Sequence, residues 1–333
     1  MKVFLKILVY LAVFLGAFGM VGMLYLMIQN THTRVVRPDL QLDARIEEMN
    51  APGRLSILVT RNKFPIFNKQ WPAHEVVNAT PFQLGSLGEL FIGHAIQNLA
   101  DTAQLGLDAP IGAHLPNLHE ALKSLTPAQL LTHSSGLKAT VDLTQPGPLT
   151  PGQQSEWAPA NYQLLDQLVR AVAKQSPFQV VQANLLPGLA MATEKSPDLP
   201  LAIVGLNFRE EDKSWWAHPQ DLKRWELAMN TGILGKMKTH LRATRPAELA
   251  GKQRGDFGFG WEISEYYGLR LEEFYAREDQ FGAGIFRFAE KTFSIVITTD
   301  QPTDVVDVRK LAREIAVFYL GREFPTPRTE TRP

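Results

Sequence analysis

The sequence predicts an α+β domain behind one transmembrane helix: an antiparallel sheet flanked by terminal helices, with a helical lobe inserted between its early and late strands. Three observations predict it. An uncharged apolar stretch runs from Ile7 to Ile28. Two strand-like runs come early in the chain and about three come late. Between them lies a long section of amphipathic helical patterns broken by Pro and Gly.

Residues 1–6 are a short lead and residues 7–28 the apolar span. About 22 residues at 1.5 Å each give roughly 33 Å of helix, enough to cross a bilayer core. A cleaved leader has an apolar core of roughly 7–15 residues followed by a small-residue site. Here the apolar run continues past Gly16, Ala17 and Gly19, so it reads as an uncleaved anchor. Lys2, Lys6 and the terminal amine precede the span, and Arg34 and Arg37 follow it. That slight excess favours a cytoplasmic N-terminus and a periplasmic, or otherwise extracytoplasmic, main domain.

Residues 29–39 form a polar linker, 40–321 the folded domain and 322–333 a charged tail. Leu40 to Met49 spaces its apolar residues as a helix does. "RLSILVT" (Arg54 to Thr60) and "KFPIFNK" (Lys63 to Lys69) read as strands joined by a turn at Arg61–Asn62. "TPFQLGSLGELFIGHAIQNLAD" (Thr80 to Asp101) reads as a strand end, a tight turn and a long helix with Ser86 at its head. In "LTPAQLLTHSSGL", Thr126-Pro127-Ala128-Gln129 is a capping box with proline at the first helical position, and Gly136 is the expected stop. "NYQLLDQLVRAVAK" places Leu164, Leu165, Leu168, Val169 and Val172 on one face. "FGFGWEIS", "GAGIFRFA" and "FSIVITTD" read as late strands, the last two joined at Glu290–Lys291. "DVVDVRKLAREIAVFYLG" closes the domain as an amphipathic helix ending at Gly321.

Composition narrows the function. Formal net charge is zero, so the basic footprint of a nucleic-acid binder is missing. The chain has no cysteine, hence no disulfide, thiolate metal site or cysteine nucleophile. His114, His119 and Glu120 do not form an H-E-x-x-H pattern. No metal and no cofactor is expected.

Ordered phrases across residues 40 to 320 resemble the serine β-lactamase and penicillin-binding-protein superfamily, in its class C-like branch. "TPFQLGSLGELFIGHAIQNLADTAQLGLDAPIGAHLP" is similar to that family's nucleophile helix, and "LTPAQLLTHSSGL" is the most specific match. "PGQQSEWAPANYQLLDQLV" resembles the segment of the second motif, and "FGFGWEIS" and "FGAGIFRF" the strands around the third. The resemblance implies a β-lactamase-like fold, a cell-envelope setting and, as partners, the membrane through the N-terminal helix and an envelope protein or a peptidoglycan fragment.

The chemistry the resemblance implies is not carried over with the fold. The family's S-x-x-K places an amine one turn from the nucleophile, where it helps take the proton. Here the motif reads Ser86-Leu87-Gly88-Glu89. The family's Y-x-N is replaced by Trp157-Ala158-Pro159; an indole donates but cannot accept a proton at neutral pH. The K-T-G or H-x-G place falls at Ala276-Arg277-Glu278. In a serine protease with intact architecture, loss of one catalytic member costs about 10⁴–10⁶-fold in turnover. The sequence therefore reads as a degenerate, catalytically inactive member acting as an envelope binding or scaffolding module. The alternative is an active hydrolase or transpeptidase-like enzyme using Ser86 with a rewired base. Ser86 as a helix cap with Glu89 in the first turn accounts for both residues without catalysis, and an ion pair from Glu89 to Arg277 would neutralise the old pocket.

Overall fold

The computed structural model describes residues 37–50, 53–72, 81–184, 206–231, 242–321 and 323–324. The expected span at 7–28, most of the linker and nearly all of the charged tail lie outside them. Among the described residues no helix is long and apolar enough to cross a membrane. The chain forms two compact units, residues 1–45 and 46–333. The described part of the first is the beginning of helix α1 (Pro38–Met49). The second carries every other described element.

Strands β1 (Leu55–Arg61) and β2 (Phe64–Trp71) form the expected hairpin. Its turn falls one residue later than expected, at Asn62 and Lys63, which both take positive φ. Two such residues match the twist of a tight hairpin. The short β3 (Phe82–Gln83) leads into a 3₁₀ turn over Gly85–Gly88 and then α2 (Glu89–Asp101). After α3 (Glu120–Lys123), α4 (Pro127–Leu131) starts with the full capping box of Thr126 and Gln129. It stops well before Gly136. Thr132 turns its hydroxyl back to the Ala128 carbonyl and to Ser134, and His133 takes φ 50°. Side-chain bonding to the local backbone competes with helix continuation.

Helix α5 (Pro159–Ala173) has proline at its first position and buries Leu164, Leu165, Leu168 and Val169. It packs with α6 (Pro177–Asn184) on α2, and α4 packs on α5, making the helical lobe. Strands β4 (Asn207–Arg209) and β5 (Ser214–Ala217) join β3 in a small three-stranded sheet that the sequence pattern does not announce. Helix α7 (Pro219–Thr231) follows.

The main sheet has six antiparallel strands in the order β2-β1-β9-β8-β7-β6, with β6 (Glu262–Tyr266), β7 (Leu269–Tyr275), β8 (Gly282–Phe288) and β9 (Phe293–Thr299). Every residue of β8 and β9 is buried, as expected of central strands covered on both faces. Helix α8 (Val308–Leu320), capped by the Asp307 side chain, packs its apolar stripe on β8 and β9. Strand β7 is the fourth late strand, one more than expected. Its sequence, LRLEEFY, carries two adjacent glutamates, yet both are buried. Arg309 and Arg313 of α8 pair with Glu273, and Arg287 of β8 pairs with Glu272.

Candidate active-site cleft

A cleft of about 610 Å³ lies where the 3₁₀ turn, the start of α5, the small sheet and the chain leaving β7 meet. Ser86, Glu89, Trp157, Pro159 and Glu278 line it, together with Tyr162, Phe208 and Trp215. The turn that presents Ser86 is set by Gly85. Its φ is +51°, and a Cβ there would come within 2.1 Å of a Glu278 carboxylate oxygen. The positive φ favours glycine, and the missing side chain leaves room for that carboxylate. Upstream, the Leu84 N–H donates to the Trp215 carbonyl at 2.9 Å, tying the turn to the small sheet.

Ser86 does not cap α2. It lies inside the 3₁₀ turn, and neither helix start shows a side-chain cap bond. Its hydroxyl instead donates to Glu278 Oε2 at 3.1 Å and accepts from the Arg277 N–H at 2.9 Å. The Ser86 N–H donates to the same carboxylate, at 2.9 Å to Oε1 and 3.1 Å to Oε2. The Arg277 N–H is shared with Oε2 at 3.0 Å. Two backbone N–H groups from distant stretches thus converge on one point, the arrangement that stabilises a developing oxyanion in acyl transfer. Here a carboxylate of the chain itself sits there.

Glu89 keeps part of its surface toward the cleft, but dense protein surrounds its carboxyl. Burial first, and the Glu278 charge second, push its pKa well above the usual carboxylate range. The Arg277 charge and a hydrogen bond from Trp157 oppose this without cancelling it. A raised pKa is by itself what a carboxylate base needs, but the Ser86 hydroxyl is engaged with Glu278 and the Arg277 N–H rather than with Glu89. The expected ion pair between Glu89 and Arg277 is not formed. The Arg277 guanidinium reaches Glu262 at 2.7 Å and the Tyr275 hydroxyl at 2.9 Å. It also lies over the rings of Tyr275 (4.5 Å) and Trp157 (5.1 Å). These neighbouring groups hold it away from Glu89.

The other expected positions divide by role. Trp157 is half-buried at the cleft. Pro159 begins α5. Ala276 is buried, and its N–H continues the ladder to the Ala283 carbonyl at 2.7 Å. Behind the cleft, His133 Nδ1 accepts from the Ala158 N–H at 3.3 Å and from Asn161 Nδ2 at 3.0 Å. A backbone N–H can only donate, so the ring proton is on Nε2. Asn161 Oδ1 accepts from Ser135 at 2.6 Å. This network holds "LTHSSGL" against the start of α5. Sequence reasoning did not assign Tyr162, Phe208, Trp215 or Glu262 to the site. Tyr162 stands three residues beyond Pro159, close enough to be found, but β4 and β5 are too short to show a period. Among the described residues no cluster of His, Asp or Glu could hold a metal ion.

The beta-lactamase family model matches residues 42–319. The chain belongs to the beta-lactamase family. It is 28% identical over 185 aligned positions to protein flp of Staphylococcus aureus strain MW2, across 45% of this chain and 37% of that protein. This chain thus spans well under half the length of the curated relatives it matches. Among solved structures it is similar to the octameric penicillin-binding protein homologue of Pyrococcus abyssi, with a TM-score of 0.66 and 16% identity over 84% of this chain and 77% of that one. A class C beta-lactamase matches with a TM-score of 0.64 and 18% identity, over 84% and 94% of the two chains. These structural likenesses concern the fold: an antiparallel sheet with a helical lobe, shared with penicillin-binding proteins and class C beta-lactamases.

Proposed function

We propose that this beta-lactamase family member is a non-hydrolytic module, anchored by residues 7–28 and presenting its cleft outside the cytoplasm to bind or scaffold envelope components, either a protein or a peptidoglycan fragment. One observation carries the reading: the Glu278 carboxylate fills the pair of N–H groups that an acyl-transfer reaction needs empty. The wiring of Ser86 adds to it, because its hydroxyl is held by Glu278 and the Arg277 N–H rather than by Glu89. The same geometry weighs against a rewired base. Glu278 is the acceptor of the Ser86 proton, but in that position it also blocks the seat of the substrate oxygen.

Full-length protein in detergent, exposed to a fluorescent penicillin and to a fluorophosphonate, is expected to show no stoichiometric label. Label on the wild type that disappears in Ser86→Ala would establish the active alternative. A periplasmic reporter fused after Pro333 is expected to be active; an inactive reporter on a stably expressed fusion would reverse the orientation.

A further inference from the structure

The anion seat at the floor of the cleft is built by backbone and is already occupied. Ser86 and Arg277 supply its N–H groups, the Ser86 hydroxyl supplies a third donor, and all three reach the Glu278 carboxylate. Charge-assisted bonds of this kind are the strong ones. Gly85 makes the room, since a Cβ there would strike that carboxylate. A second observation comes from the cleft wall. Tyr162 is 2% exposed and Trp215 3% exposed. Both line the same cleft with Trp157 and Phe208, an aromatic wall beside the charged seat. Glu278 can make way: it is half-buried, and the next residues, Asp279 and Gln280, are exposed.

We propose that Glu278 is an internal stand-in for a ligand carboxylate. An incoming acid displaces it from the Ser86 and Arg277 amides and lays an apolar or aromatic body along Trp157, Phe208 and Trp215. The ligand class is a carboxylate on an apolar body, whether a free acid or the C-terminus of a peptide. This deepens the non-hydrolytic reading and rests on it. Exchanging one carboxylate for another leaves the negative charge beside Glu89 unchanged, so the exchange does not require Glu89 to change its protonation. A neutral amide ligand would lack that charge.

The test uses full-length protein in detergent with two probes, 4-fluorobenzoate and N-acetylphenylalanine, and the carboxamide of each as the neutral control. Binding is read by ¹⁹F line broadening for the first and by tryptophan fluorescence for the second. Glu278→Ala empties the seat and is expected to bind at least one acid about tenfold tighter than wild type, and neither carboxamide. Preference for N-acetylphenylalanine identifies a peptide C-terminus, and preference for 4-fluorobenzoate a free acid. Glu278→Gln keeps the shape without the charge, so a smaller gain is expected; it serves as the comparison if Glu278→Ala loses its near-UV circular dichroism. Equal acid affinity in wild type and in a folded variant overturns the proposal. Ser86 labelling by penicillin would instead overturn the non-hydrolytic reading and leave acid binding to be judged on its own measurement.

Discussion

Two groups of glutamates within reach of β7 are buried in opposite ways. On the strand, Glu273 is fully buried and meets Arg309 and Arg313, while the adjacent Glu272 meets Arg287. Glu262, on the neighbouring strand, is held below the usual carboxylate range: burial raises it, but the Arg277 hydrogen bond and the Arg309 and Arg277 charges prevail. At the cleft, Glu89 has an indole and another carboxylate for company and is pushed the other way. A guanidinium alone does not decide the direction: burial keeps Glu272 raised against the charges of Arg287 and Arg270, whereas the Arg277 hydrogen bond and two arginine charges carry Glu262 down. The first group holds α8 to the sheet. The second joins a carboxyl raised by burial to an anion seat filled by Glu278, which ties the Ser86 turn to the chain leaving β7.

The largest test of this contrast is Glu273→Ala. It strands Arg313 and leaves Arg309 with Glu262, and breaking a buried pair costs roughly 3–5 kcal/mol. Arg309 and Arg313 keep about a third of their surface in solvent, so the loss is expected at the lower end, read from urea unfolding with unchanged slope. A loss below about 1 kcal/mol, the scale of an exposed pair, would erase the distinction.

Glu89→Gln is expected to act in the opposite sense. A carboxyl with a raised folded pKa binds more protons in the folded state than in the unfolded one. Its stabilisation is whole below the unfolded value of 4.5 and is lost as pH rises through the folded value. Glutamine copies the neutral acid at every pH. The variant should therefore match wild type in mild acid and gain on it steadily toward alkaline pH, followed by thermal melts. A constant offset across pH would show that Glu89 is ionised throughout.

His133 and His94 set the acid side. Burial lowers their pKa values to about 3 and about 4, from 6.5. The unfolded chain takes up their protons first, so stability should fall as pH drops from about 6.5 toward these values. His94→Gln is expected to flatten part of that slope without changing stability at alkaline pH; an unaltered slope would remove His94 from the account.

The smallest effect provides the scale. Thr126→Ala removes one arm of a capping box that includes neither group and should cost about 1 kcal/mol at every pH.

Much of the fold was legible because it repeats. The α8 stripe, the α5 stripe, the Thr126 box and the β1–β2 hairpin each announce themselves by period or by punctuation. Strand β7 did not, because Glu272 and Glu273 look like surface until their arginines arrive from β8 and α8. β3, β4 and β5 were too short to carry a pattern. The site was half legible. Ser86, Glu89, Trp157 and Glu278 were placed by motif and do share one cleft. Their wiring was not readable: whether Arg277 would turn to Glu89 or to Glu262, and whether Glu278 would face the Ser86 amide, depends on contacts between residues 15 positions apart in the first case and 192 in the second.

The convergence of the Ser86 and Arg277 amides has one further consequence. Peptide groups have no codon of their own, so drift at individual positions can plug or unplug that seat but cannot erase it while the scaffold stands. What changes from one such sequence to another is therefore the occupant of the seat, here the side chain at position 278, and not the seat.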